Sequence, residues 1–96
     1  AYKTFSSANI TVSGTVQLLD LTGAKANARA VHIYVDSTAA SKALRYTYDG
    51  SLPSAGVGIA RKDNDEFIIT EFSNLQKFRV IQEVAATTTL FITYLQ

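Results

Sequence analysis

The chain has a single imidazole, His32, and a single tight acidic run, Asp63-Asn64-Asp65-Glu66, and these are its main resources for acid–base or metal chemistry. A nucleophilic triad needs a base beside a nucleophile and a third group that orients the base. His32 shares one face of a β-patterned stretch with Tyr34 and Asp36. Side chains two apart on such a face are about 7 Å apart, which sets Tyr34 next to the histidine and Asp36 one step further along the face, and no nucleophile comes with them. A half-exposed strand histidine is expected, with no catalytic residue. The acidic run could offer oxygens to calcium, yet it lacks the glycine and distal glutamate of an EF-hand loop. Asp and Asn also favour tight turns between strands, so the expectation is a turn and no metal.

Other chemistries fall on composition or spacing. With no cysteine there is no disulfide framework, thiolate zinc site or cysteine nucleophile. Gly56-x-Gly58 has Arg61 where a dinucleotide fingerprint needs its third glycine, and no helix pattern follows to face a phosphate, so no cofactor is expected. The absence of Trp removes the usual sugar platform and makes a glycosidase a poor fit. Tyr34, Tyr46 and Tyr48, with Arg45 nearby, form a candidate aromatic patch for stacking on sugars or bases. Against it, Leu44, Tyr46 and Tyr48 share one period-2 face, the pattern of core or interface packing. Asn9-Ile10-Thr11 fits a glycosylation acceptor, which has no consequence without a secretory signal.

These side chains need a frame, and 96 residues that are 47% hydrophobic suffice for one small domain. Nine Lys and Arg against eight Asp and Glu leave a net charge of +1, spread along the chain, which argues against nucleic acid as partner. No run reaches the roughly 18 to 20 apolar residues of a membrane helix, and Ala1-Tyr2-Lys3-Thr4-Phe5 lacks a signal-peptide core. The expectation is a soluble chain, off the membrane, whose initiator Met has been removed.

Period-2 alternation recurs in short runs rich in Val, Ile, Thr, Tyr and Phe, and helical periodicity does not. Ile10–Val12, a Ser13-Gly14 turn and Thr15–Leu19 read as a hairpin. Asp20 to Asn27 reads as a loop with room for one helical turn. Strands are expected at Ala30–Asp36, Leu44–Tyr48, Glu66–Thr70, Phe78–Val84 and Thr89–Leu95, and a corner at Phe72–Lys77. Asp49-Gly50 and Pro53 interrupt between them. Six to eight short strands predict an all-β fold, a two-sheet antiparallel β-sandwich that is jelly-roll-like or Ig-like. Residues 1–9 are expected as an N-terminal arm and 10–96 as the single β-sandwich domain. Leu18, Ile68 and Ile81 put apolar groups on faces that alternation assigns to solvent. With Tyr2 and Phe5 of the arm they make a candidate protein interface.

From Arg29 to Leu95 the order of these features resembles small structural proteins of tailed bacteriophages. The likeness is carried by the strand Ala30-Val31-His32-Ile33-Tyr34-Val35 and then by Arg45-Tyr46-Thr47-Tyr48-Asp49-Gly50-Ser51-Leu52-Pro53-Ser54. It continues through Gly56-Val57-Gly58, a strand around Phe67, Leu75-Gln76-Lys77-Phe78-Arg79-Val80-Ile81 and a Thr-rich end from Thr87 to Tyr94. The resemblance implies a β-sandwich component of the virion with no catalytic residues to transfer. A capsid decoration or cement protein is the expected role, held on the capsid surface after synthesis in the bacterial cytoplasm. Its partner would be the major capsid protein or another virion protein, and it would be a homo-oligomer, a trimer or dimer. A tail or head-to-tail connector component is the alternative within that class. The longer Ser37–Lys42 connection and the charged Arg61–Glu66 loop depart from the pattern and leave the virion position open. From another class, the alternative is a carbohydrate- or ligand-binding β-sandwich module that uses Tyr34, Tyr46 and Tyr48.

Overall fold

Where β-branched and aromatic residues alternate with polar ones, the chain extends, and the buried half of each alternation builds one core. The computed structural model describes residues 2–96. Its strands are β1 (Thr4–Val12), β2 (Ala30–Ser37), β3 (Leu44–Thr47), β4 (Ile59–Arg61), β5 (Glu66–Thr70), β6 (Arg79–Gln82) and β7 (Thr88–Leu95). A 3-10 turn covers Gly23–Asn27 and one short helix, α1, covers Phe72–Lys77. The strands form two antiparallel sheets in the orders β1-β7-β2-β5 and β4-β3-β6. This is the all-β sandwich expected from the alternation.

The strand order is that of a jelly roll in which one strand is almost missing. Gln17 exchanges two backbone hydrogen bonds with Val80 on β6, of 2.9 and 3.0 Å, and this lone bridge occupies the place beside β6 where a jelly roll has its second strand. The predicted hairpin is therefore corrected. Val12 stays in β1 opposite Thr88, while Gln17 crosses to the other sheet. Leu18 and Leu19 cannot both be buried on a strand; Leu19 goes into the core and Leu18 is left in solvent.

The arm reading is corrected too. Residues 4–9 are the first part of β1, paired with β7 from Thr4 opposite Leu95 onward, with Phe5 as an extra residue in the register. Phe5, Ala8 and Ile10 pack against the core, which gives this segment a reason to dock. Ala1 lies outside the described residues. The corner at Phe72–Lys77 is a helical turn, because Leu75 is buried and drives it onto the sandwich.

The core is filled from both inner faces. Val31, Ile33, Val35, Leu90, Ile92 and Tyr94 come from the four-stranded sheet, and Leu44, Tyr46 and Val80 from the three-stranded one. Tyr46 meets Phe67 at 4.5 Å and Phe78 at 5.7 Å between ring centroids, so aromatic packing joins the sheets at their β3 and β5 side. The Tyr94 hydroxyl donates a 2.6 Å hydrogen bond to the Asp20 carbonyl and pins the long connection between β1 and β2.

Candidate functional site

The predicted tyrosine patch does not assemble. Tyr46 points into the core at 4% exposure, Tyr34 lies on the outer face of the other sheet, and Tyr48 is exposed next to Tyr46. One period-2 face turned inward accounts for Tyr46, and the end of β3 at Thr47 frees Tyr48. Tyr34 instead donates a 2.7 Å hydrogen bond to Asn64 Oδ1.

The acidic run is a turn. Asp63 Oδ1 accepts from the Ser37 amide at 2.9 Å, and Asp65 Oδ2 accepts from the Lys62 amide at 2.9 Å. Asn64 takes a positive φ of 70°, a conformation Asn tolerates in turns. The carboxylates thus close the β4–β5 connection, and the described residues contain no cluster of three or more His, Cys, Asp or Glu suited to a metal ion. His32 is half-buried and its Nε2 lies 3.0 Å from Glu66 Oε1, so its carboxylate partner is on β5 and not Asp36. No helix of the described residues is long and apolar enough to cross a membrane.

The same outer face carries exposed apolar groups. Register places Phe91 of β7 beside Tyr34 of β2, and their rings are 6.2 Å apart. Ile68 lies opposite His32 on β5, at 57% exposure, and Phe91 is 40% exposed. Their cross-strand neighbours on this face are His32 beside Ile68, Glu66 beside Tyr34 and Asn9 beside Phe91, with Thr89 and Thr93 flanking Phe91 along β7. A solvated antiparallel face normally alternates to polar residues. Here it presents the Tyr34–Phe91 aromatic pair and Ile68 in one strip, with the His32–Glu66 pair lying between Tyr34 and Ile68.

The five residues expected at a protein interface are dispersed. Tyr2, Leu18 and Ile68 are exposed, whereas Phe5 packs edge-on against Tyr94 at 6.5 Å and Ile81 is half-buried on the outer side of β6. Tyr2 lies beneath Arg29, 5.8 Å from its guanidinium carbon. Ile68 alone joins the strip on the four-stranded sheet. Phe91 was missed in the sequence, although its alternation with Leu90 and Ile92 already placed it on the opposite face.

A second surface lies at the β3–β4 side. Tyr46, Tyr48, Asp49, Val57, Gly58 and Ile59 line an open groove of about 480 Å³. Asp49 closes the turn at its end by accepting from the Ser51 hydroxyl at 2.6 Å and the Ser51 amide at 3.0 Å, which hold its carboxyl below the ordinary 3.8. Arg45 of β3 donates to Glu83 Oε1 and to the carbonyl of Gly58, which lines the groove, both at 3.0 Å. Beside the groove, the Arg61 guanidinium stands 4.7 Å over the Phe67 ring, and its buried Nε has no hydrogen-bond partner. The ring face takes part of that charge's lost hydration. The groove offers aromatic and apolar contact without an assembled nucleophile and base.

No protein-family model, curated protein or solved structure matches this chain.

Proposed function

We propose that this chain is a structural virion protein of a tailed bacteriophage, a capsid decoration or cement protein that binds the assembled shell and catalyses no reaction. The observation that carries the reading is the strip of Tyr34, Phe91 and Ile68 on the outer face of the four-stranded sheet. Apolar side chains on a rigid sheet face gain by burial against other protein, and the His32 and Glu66 side chains among them are already paired with each other. The near-neutral charge imposes no long-range repulsion from a shell of either sign. Jelly rolls serve as viral coat domains and as lectins, so the fold supports the role without selecting it, and the surfaces must decide.

The experiment is co-sedimentation with assembled shells and, separately, with loose capsid subunits of the encoding phage. Binding to shells alone is expected, with Phe91→Asp and Ile68→Asp each reducing occupancy about tenfold or more at unchanged melting temperature. The groove beside Tyr48 favours one competing reading, a carbohydrate-binding module. Saturable glycan binding that disappears in Tyr48→Ala, with no binding to shells, would establish that reading and remove the first.

A further inference from the structure

We infer that β1 is a self-pairing edge, through which two copies of this chain join about a two-fold axis into one continuous eight-stranded sheet. The inference rests on the reading that the protein works by assembly, and it names the partner as a second copy.

The ladder fixes which peptide groups of β1 are free. Gln96 and Lys3 exchange two hydrogen bonds of 2.8 Å, whereas the Thr87 and Leu95 carbonyls accept from Thr38 and Arg29 on the β2 side. Peptide groups on an antiparallel strand alternate sides, so the even residues of β7 face β1 and the odd ones face β2. In the β1–β7 register, Ser6, Ala8, Ile10 and Val12 then bond to β7, and the N–H and C=O of Ser7, Asn9 and Thr11 point away from the sheet. Beyond the β7 ladder, no backbone hydrogen bond among the described residues reaches that outward edge between Thr4 and Val12.

Natural edges are normally shortened, charged, interrupted by Pro or covered. β4 has three residues, β6 is covered by the Gln17 bridge and the Ser13 carbonyl, and β5 begins with Glu66 and has its last carbonyl, Thr70, capped by Asn74. β1 has nine residues, Thr-Phe-Ser-Ser-Ala-Asn-Ile-Thr-Val, with no charge and no Pro. At about 3.4 Å per residue it spans about 30 Å, close to the 34 Å longest dimension of the molecule.

The edge is also complementary to itself. With Asn9 opposite Asn9 of the second copy, Ser7 falls opposite Thr11 and Ala8 opposite Ile10. The three outward residues then exchange about six hydrogen bonds. Ala8 and Ile10, only partly buried at the rim of the core, close over each other across the axis. Thr–Ser pairs on the outer face add cross-strand contact, and two uncharged strands meet without repulsion.

Light scattering across a concentration series tests this on the intact chain. The wild type is expected as a dimer, and Asn9→Pro as a folded monomer, because that substitution removes an outward N–H and leaves the β7 ladder intact. Ser7→Lys with Thr11→Lys sets like charges opposite each other and should also give a monomer. Ser7→Lys with Thr11→Glu should restore the dimer, which checks the register without relying on Pro. Amide exchange at Ser7, Asn9 and Thr11 should be slow in dimers and fast in monomers. A wild type that stays monomeric at millimolar concentration, forms a trimer, or dimerises equally well as the double-Lys variant overturns the inference. Shell binding is scored separately: a monomer that binds shells leaves the virion role intact, and a dimer that binds none leaves the edge pairing intact.

Discussion

Tyr46 and Phe67 lie ring on ring, 4.5 Å between centroids and 9° from parallel, one contributed by each sheet. β3 and β5 belong to different sheets and share no backbone ladder, so this contact, with Phe78 behind it, holds the two layers together at that side. Phe67→Ala should cost about 3–5 kcal/mol, since it removes a buried ring and leaves a cavity beside Tyr46. Tyr46→Phe keeps the stack and loses only a 3.5 Å contact with Arg61, so it should cost under about 1 kcal/mol. Equilibrium urea unfolding of the two variants checks the difference, and equal losses would refute the assignment of stability to the stack.

Much of this architecture could be read from the sequence because burial leaves a period of two. Val31, Ile33 and Val35, and later Leu90, Ile92 and Tyr94, alternate with polar or exposed neighbours and are buried as that pattern requires. Pairing could not be read, since among the named strands only β3 and β4 are both consecutive and adjacent. The Ser13-Gly14 signal was equally compatible with a hairpin and with a crossing to the other sheet. The outer strip was half legible: Ile68 stood out on a solvated face, but joining it to Phe91 and Tyr34 required the register of three strands.

Tyr94 sets an alkaline limit to stability. Burial first, and then the nearby Asp20 charge, raise its hydroxyl from 10.0 to about 12, against a smaller opposing effect of the bond to the Asp20 backbone. A raised value in the folded state favours the protonated form. Its contribution is therefore complete below pH 10.0 and is lost as pH rises toward about 12. Tyr94→Phe should lower stability at neutral pH by about 1 kcal/mol through loss of the hydrogen bond to Asp20. It should also flatten the decline above pH 10. Chemical unfolding of both proteins at pH 7 to 11 measures this, and parallel pH profiles would be contrary to it.

The acid limit has a different origin. Asp20 and Asp49 each accept from the hydroxyl and amide of the residue two positions on, Thr22 and Ser51, and the side-chain bond is the larger influence holding each carboxyl below 3.8. A lowered value contributes stability above pH 3.8 that disappears as pH falls through the folded-state value. Ser51→Ala should therefore show a smaller stability loss between pH 5 and 2 than the wild type, read by thermal melts across that range. Both groups are solvent-exposed, so the effect should be small beside the loss of a core ring.

Glu71 is held at φ 74° and ψ 123°, a conformation that strains any residue with a Cβ. It is kept there because its amide donates to the Arg29 carbonyl at 2.9 Å and its carbonyl starts α1 by accepting from Asn74 and Leu75. The carboxylate is exposed and makes no hydrogen bond among the described side chains. Glu71→Gly keeps the backbone bonds and relieves the strain, so it should stabilise the fold by about 1 kcal/mol, seen as a higher melting temperature. A lower melting temperature would show that the turn is not strained.

Gly58 presents the opposite case, where the glycine is required. Its φ is +117°, and a Cβ there would stand 2.9 Å from the Tyr46 carbonyl oxygen, a backbone atom held in the β3 ladder. Arg45 also depends on this residue, because its guanidinium donates to the Gly58 carbonyl while binding Glu83. Gly58→Ala must move β4 away from β3 or twist its own backbone, at a cost of about 1–3 kcal/mol. Because Gly58 and Ile59 form one wall of the groove beside Tyr48, the displacement should alter that surface while the outer strip of Tyr34, Phe91 and Ile68 stays in place. The variant should therefore melt lower yet still bind shells at a temperature where it is folded. Loss of shell binding by folded Gly58→Ala would locate the interaction at the groove instead of the strip.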